Sequence, residues 1–181
     1  NDLPAIEWAD GTKHWYLNGK RHRENDLPAV EYADGTKRWF LNGLIHREND
    51  LPAIEYANGS KEWWLNGQFH RENDQPAVEF VDGTKQWHLN GERHRETGPA
   101  IEYVNGTKYW YLNGKQYSEE DWKKEVEKLK MNKTIKVESI LKIPNDFTGI
   151  AEYTDGSKEW YKNGKLHREN GPACEYANGS K

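Results

Sequence analysis

The sequence predicts a mainly β protein, an elongated, single-layer, twisted antiparallel sheet of repeated β-hairpins with one short helix. Three observations carry the prediction. A 24-residue pattern recurs along the chain, beginning at Asn1, Asn25, Asn49 and Asn73. Within each copy an Asp-Gly or Asn-Gly pair separates two alternating segments, the strongest short-range hairpin signal. Only one stretch, after Tyr117, changes to a helical period.

The second copy shows the unit: Ala29-Val30-Glu31-Tyr32-Ala33, Asp34-Gly35, Thr36-Lys37-Arg38-Trp39-Phe40-Leu41, Asn42-Gly43, Leu44-Ile45, then His46-Arg47-Glu48. A fifth copy begins at Thr97 with Gly98-Pro99, a sixth resumes near Thr148, and a truncated seventh runs from Gly171 to Lys181. Residues that recur in every copy are specified by the repeating architecture before they are specified by any chemistry. The expected organisation is a five-repeat array over 1–116, a helix-plus-strand insertion over 117–145 and two further repeats over 146–181. The chain starts without a methionine and stops just before the tryptophan that would follow Lys181, which reads as a fragment.

A two-residue type I′ turn at Asp34-Gly35 would pair Ala33 with Thr36, Tyr32 with Lys37, Glu31 with Arg38 and Val30 with Trp39. Side chains alternate along a strand, so Val30, Tyr32, Lys37, Trp39 and Leu41 would share the core face. The tryptophan ladder Trp15, Trp39, Trp63, Trp87, Trp110 and Trp160 then becomes the structural spine, with Ile6, Val30, Ile54, Val78 and Ile101 between its members. Ala29, Glu31, Ala33, Arg38 and Phe40 take the other face. Position 38 varies freely between copies, as His14, Arg38, Glu62, Gln86, Tyr109 and Glu159, which reads as solvent exposure. The second turn, Asn42-Gly43 and its copies, returns the chain through His-Arg-Glu. The proline that follows sits where a ladder can spare an N–H.

Ser118-Glu119-Glu120-Asp121 reads as a helix N-cap followed by an acidic first turn. Trp122, Val126 and Leu129 fall on one face of an amphipathic helix that runs to about Lys130. Thr134 to Ile140 alternates as a strand, and Pro144-Asn145 ends it. The plain reading of this insertion is a cap over the open sheet edge, which would otherwise invite edge-mediated self-association. The functional reading makes Trp122 a partner anchor.

Composition narrows the function classes. Hydrophobic content of 34% and mean hydropathy of −1.16 would lean towards disorder, but nine tryptophans and ten tyrosines supply large buried areas. Acidic and basic side chains, 30 and 26, are mixed within every repeat, so no basic stripe forms and nucleic acid is not an expected partner. The single cysteine, Cys174, excludes an internal disulfide and fits a reducing, cytoplasmic setting. No run reaches the roughly 18 apolar residues of a membrane span.

Trp15, Asn18-Gly19-Lys20, His22 and Asp34-Gly35, echoed by Trp160, Asn163-Gly164-Lys165 and His167, resemble the MORN repeat family. The departures are regular: Arg23, Arg47, Arg71, Arg95 and Arg168 replace the family's glycine after histidine, and its G-x-G becomes x-P-A or G-P-A. This variant resembles repeats of hypothetical proteins in bacteriophages and large viruses. The resemblance implies an elongated hairpin sheet, a role in scaffolding, protein contact or lipid association, and no catalytic residues. In a virus it would imply an accessory protein that binds a host factor in the host-cell cytoplasm. Cell-wall-binding repeats share an aromatic flavour but lack the H-R-E-x-x-P-A segment.

The ladders are weighed in the same way. Equivalent histidines two strands apart lie about 9.5 Å from each other, too far to share one zinc ion, so His22, His46, His70, His94 and His167 read as turn hydrogen-bonders and no metal or cofactor is expected. The glutamates at 7, 31, 55, 79, 102, 152 and 175 recur too regularly for a catalytic pair and read as partners of Arg23 and its copies. No nucleophile-base set stands out, so no catalytic residue is assigned and a non-enzymatic scaffold is expected. The aromatic track Tyr16, Phe40, Trp64, His88, Tyr111 and Tyr161 is the candidate binding surface. A protein is the expected partner; a polysaccharide stacked on the same rings is the alternative.

Overall fold

A computed structural model describes residues 3–131, 134–137 and 143–180. The chain forms two compact units, Asn1–Glu119 and Glu120–Lys181. The first is built on an 11-stranded antiparallel sheet made of hairpins. Each of its five repeats contributes two neighbouring strands, such as Val30–Glu31 and Lys37–Arg38, and Lys115–Tyr117 closes the series. Most strands are two residues long because the backbone changes partner every few positions.

The change of partner occurs at the ladder tryptophan. Lys37–Arg38 pairs with Val30–Glu31 of its own repeat and Ile54–Glu55 of the next. The Trp39 N–H then donates to the Ala53 carbonyl at 2.8 Å, and its own carbonyl accepts from the His46 N–H at 3.2 Å. Phe40–Leu41 therefore pairs with Leu44–Ile45 in a separate hairpin around Asn42-Gly43. Asn42 and Gly43 have φ of 52° and 90°, so this two-residue turn is of the I′ type. Successive hairpins of this second row are stitched by bonds such as Gly67 N–H to the Ile45 carbonyl at 2.8 Å.

The Asp-Gly turn corrects the expected register. Val30 lies opposite Arg38 and Glu31 opposite Lys37, one residue away from the I′ expectation. Only Gly35, at φ 92°, is left-handed there. The Tyr32 N–H reaches the Thr36 carbonyl at 2.9 Å across a three-residue loop, the arrangement of a type I turn followed by a left-handed glycine. Asp34 explains the preference. Its carboxylate takes the Thr36 N–H at 2.8 Å, which holds the aspartate in the right-handed region. The Thr36 hydroxyl in turn accepts the Ala57 N–H of the next repeat at 3.1 Å, and Ser60 repeats the contact to Val81 at 3.0 Å.

A slip of one residue moves a side chain to the other face. Val30, Tyr32, Arg38, Phe40 and Ile45 consequently lie together, with Ala29, Val30 and Phe40 as a buried cluster and Tyr32 and Ile45 packed on it. Trp39 is buried on the opposite side against Arg47, while Lys37 and Leu41 are exposed. Trp15, Trp39, Trp63 and Trp87 are each buried under an arginine on that side, not on the face of the isoleucines and valines.

In the second unit the helix Glu119–Met131 follows Ser118 as predicted. Ion pairs Asp121–Lys124 and Glu125–Lys128 brace it, and Glu127 holds Lys162 of the sheet at 2.9 Å. Thr134–Val137 is a strand, parallel to Gly149–Tyr153; the rest of the expected segment, 138–140, lies outside the described residues. Lys158–Lys162, Lys165–Leu166 and Cys174–Glu175 complete a five-stranded sheet.

Candidate interaction face

Each repeat has two chemically distinct sides. On one, the arginine of His-Arg-Glu is enclosed by its own repeat and by the next. Arg71 places its guanidinium 3.7 Å from the Trp63 ring centre. Its Nε and Nη2 donate to the two oxygens of Asp50 at 2.7 and 3.0 Å, and Nη1 donates to the Pro76 carbonyl and Glu79. Arg47 with Asp26 and Glu55, and Arg95 with Asp74 and Glu102, repeat this geometry. The expected arginine–glutamate pairing is present; the aspartate at the start of the arginine's own repeat was not read from the sequence. Its signal was the N-D pair before each x-P-A in the first four copies, absent from the fifth, where Thr97-Gly98 stands.

The histidines also bridge repeats rather than serving only their own turn. His46 Nδ1 accepts the Asn66 N–H at 3.1 Å, and His70 and His94 do the same for Asn90 and Asn113 at 3.2 and 3.1 Å. Clefts between these ladders, one of about 410 Å³ lined by Asp74, Trp87, His94 and Arg95, recur along this side. Among the described residues, no group of three or more His, Cys, Asp or Glu is placed to hold a metal ion. No helix of the described residues is long and apolar enough to cross a membrane.

The other side carries the aromatic residues. The predicted track lies here, but largely packed: Phe40 and His88 are 9% and 8% exposed, Trp64, Tyr111 and Tyr161 are half-buried, and Tyr16 is 37% exposed. Phe69 covers Trp64 at a centroid distance of 3.8 Å and approaches His88 at 5.0 Å. A second column, Trp8, Tyr32, Tyr56, Phe80 and Tyr103, shares the face, and three of its members are more open: Trp8 at 45% and Phe80 and Tyr103 each at 41%. The sequence reading assigned that column to the core, because the type I′ register turns it inward.

Position 38 and its equivalents lie between the two columns, which corrects the solvent reading at all but Tyr109, 38% exposed. His14 is buried and stacks edge-on with Trp8 at 4.3 Å. Arg38 lies 5.1 Å from the Tyr32 ring centre. Glu62 accepts from the Tyr56 hydroxyl at 3.0 Å and the Trp64 Nε1–H at 2.8 Å. In the second unit Glu159 accepts from both Tyr153 and Tyr161, at 2.5 and 2.6 Å. The variation at this position thus follows the aromatic neighbours. Burial, followed by the charge of Glu62, pushes the Tyr56 hydroxyl up to about 12. Burial, followed by its bond to Glu159, raises Tyr161 as well. Trp122, expected as a docking anchor, is itself buried, so its indole belongs to the protein's own packing.

The ionisable groups give an acid response. Hydrogen bonds from Arg47 and Arg71 hold Asp26 and Asp50 below the ordinary aspartate value. For Asp74, burial opposes this, but the bonds from Arg95 and Thr97 prevail. Burial likewise lowers His88 and His14. A lowered folded pKa means the unfolded chain takes up the proton first, so each group stabilises above its unfolded pKa and loses that contribution as pH falls through the folded one. Denaturant midpoints should fall in two stages, below about pH 6.5 from the histidines and below about pH 3.9 from the aspartates. His88→Gln should flatten the first stage; a midpoint that rises on acidification from pH 7.5 to 5 would contradict this assignment.

With the geometry in hand, comparison with known proteins adds no relative: no protein-family model matches the chain, and no significant match is found among curated proteins.

Proposed function

We propose that the chain is a non-enzymatic, MORN-like repeat scaffold that binds another protein along the aromatic-lined face of its first unit. The observation that carries this reading is the division of labour between the two sides. Arginine, histidine, aspartate and glutamate, the residues that would supply acid–base or nucleophile-activating chemistry, are engaged in contacts that recur from repeat to repeat. A catalytic constellation breaks such symmetry. The aromatic side instead carries half-open rings in register along the sheet, and exposed apolar patches of that kind mark interaction surfaces. A polysaccharide would need open ring faces at Tyr16, Phe40, Trp64 and Tyr111, whereas Phe40 is enclosed and Trp64 is covered by Phe69. That favours a protein partner.

The test compares cross-linked partners captured from the source cell by the wild-type chain, by a Trp8→Ser/Phe80→Ser/Tyr103→Ser variant and by Leu44→Ser as an exposed control elsewhere. The triple variant should lose the partner, by about tenfold or more in capture, as expected when anchor aromatics are removed, while the control retains it. Equal capture by all three, or substrate turnover abolished by one point mutation, would overturn the reading.

A further inference from the structure

Resting on the protein-binding reading, we infer that the segment bound on this face is a proline-rich polyproline II stretch with two acidic side chains spaced three helical turns apart. The repeat period matches such a segment. Each repeat of the first unit adds two antiparallel strands, and two strand spacings amount to about 9.5 Å. One turn of a polyproline II helix contains three residues and rises about 9.3 Å. A segment running along the array therefore presents the same edge to each successive repeat. An added β-strand would serve a sheet edge, not this face, and an α-helix of 5.4 Å pitch loses step with the repeats.

The surface chemistry agrees with that period. Trp8, Tyr32, Tyr56, Phe80 and Tyr103 form a column of partly exposed aromatic rings, the kind of lining that accepts proline rings. Polyproline II has no internal hydrogen bonds, so it follows the twist of the sheet, and its preset conformation reduces the ordering cost of binding.

Charge completes the argument. Tyrosine hydroxyls apart, the charged and titratable groups on this face of the first unit's repeats are, among the described residues, His14, Arg21, Arg38, Glu62, His88 and Arg93. Glu62 already accepts from Tyr56 and Trp64, and the lowered pKa of His14 and His88 keeps both neutral at pH 7. Three arginines remain against one saturated carboxylate, on a chain whose formal net charge is −4. They are not evenly spread. Arg21 approaches Phe40 and Arg38 approaches Tyr32, both in the second repeat, whereas Arg93 approaches Tyr111 in the fifth. Three repeats separate these cationic points, so complementary acids fall roughly nine residues apart on a polyproline II segment. A phosphate backbone would need a cation at every step, and the third repeat offers Glu62 instead.

Fluorescence anisotropy with synthetic peptides of about 12 residues tests this, using proline triplets with glutamate at two sites roughly nine residues apart. Matched arms replace the prolines by Gly-Ser, the glutamates by lysine, or cluster both glutamates centrally; an oligo-dT strand is the nucleic-acid arm. The parent peptide should bind about tenfold tighter than any matched arm. Arg38→Gln and Arg93→Gln, with the fold checked by circular dichroism, should each weaken it by about threefold or more and reduce its salt dependence. Parent binding no tighter than the Gly-Ser, lysine or clustered arm, indifference to both arginine substitutions, or tighter binding of oligo-dT overturns the inference. If the parent fails while the Trp8/Phe80/Tyr103 variant still loses its captured protein, only the polyproline inference falls. If that variant captures normally, the wider reading falls too.

Discussion

Trp63→Ala is expected to destabilise the first unit by about 3–5 kcal/mol, the range for removing a large buried aromatic side chain. Trp63 is 6% exposed and sits where the backbone passes from one row of hairpins to the other. Its N–H donates to the Ala77 carbonyl, its carbonyl accepts from His70, and its Nε1–H donates to the Asp50 carbonyl at 3.0 Å. The ring also forms the floor on which Arg71 lies. Truncation leaves a cavity, deprives the Asp50 carbonyl of its donor and releases the guanidinium that clasps Asp50 and Glu79. In an array whose units are stabilised mainly by their neighbours, a break in the middle repeat also uncouples the two sides. A single unfolding transition should therefore become two, with faster amide exchange at Arg71 and Trp87. Trp63→Phe keeps a ring under Arg71 and should cost less, chiefly the Nε1 hydrogen bond at about 1 kcal/mol plus some packing. Chemical denaturation of the three proteins decides it, and a Trp63→Ala cost below about 1 kcal/mol would mean that the stack does not hold the repeats together.

What the sequence revealed and what it concealed follow from the range of each interaction. Period, hairpins, the Asn-Gly turns and the helix after Ser118 depend on local residues and were legible, as was the Arg–Glu pairing eight residues along the chain, seen at Arg47 and Glu55. The longer-range bonds were not. Thr36 to Ala57, His46 to Asn66 and Arg47 to Asp26 join residues about a repeat apart, and a perfect repetition hides whether a partner comes from the same copy or the neighbour. The largest error had a small cause. Asp-Gly suits both a two-residue type I′ loop and a three-residue loop with a left-handed glycine. The following Thr or Ser was the deciding signal, because its N–H caps the aspartate carboxylate while its hydroxyl ties the next repeat. Reading Asp34-Gly35 the first way placed Tyr32 in the core and Arg38 in solvent. The face that carries the candidate interaction surface was misjudged by that single residue.

Gly164→Ala and Gly114→Ala form a pair in which identical local sequence should give unequal results. Both glycines follow asparagine and precede lysine, and both have positive φ, 70° and 74°. The left-handed conformation alone costs an alanine roughly 1–2 kcal/mol. At Gly114 the added Cβ meets only the flexible Glu92 side chain, no closer than 3.5 Å, so little more is expected. At Gly164 it would overlap the carbonyl oxygen and carbon of Asn145. Those are backbone atoms of the segment that enters the second unit's sheet, and the Gly164 N–H is itself bonded to the Phe147 carbonyl at 2.8 Å. Relieving the overlap requires the turn or that segment to move, breaking this bond and the Asn163 N–H to Thr148 hydroxyl bond at 3.0 Å. The total should reach about 4 kcal/mol or more, since a steric and backbone-strain penalty of this kind belongs to the extreme tail of single substitutions. Thermal unfolding followed by tryptophan fluorescence should show Gly114→Ala lowered by a few degrees and Gly164→Ala lowered much further in Tm. Equal effects would indicate that the Asn145 carbonyl does not press on this turn in solution.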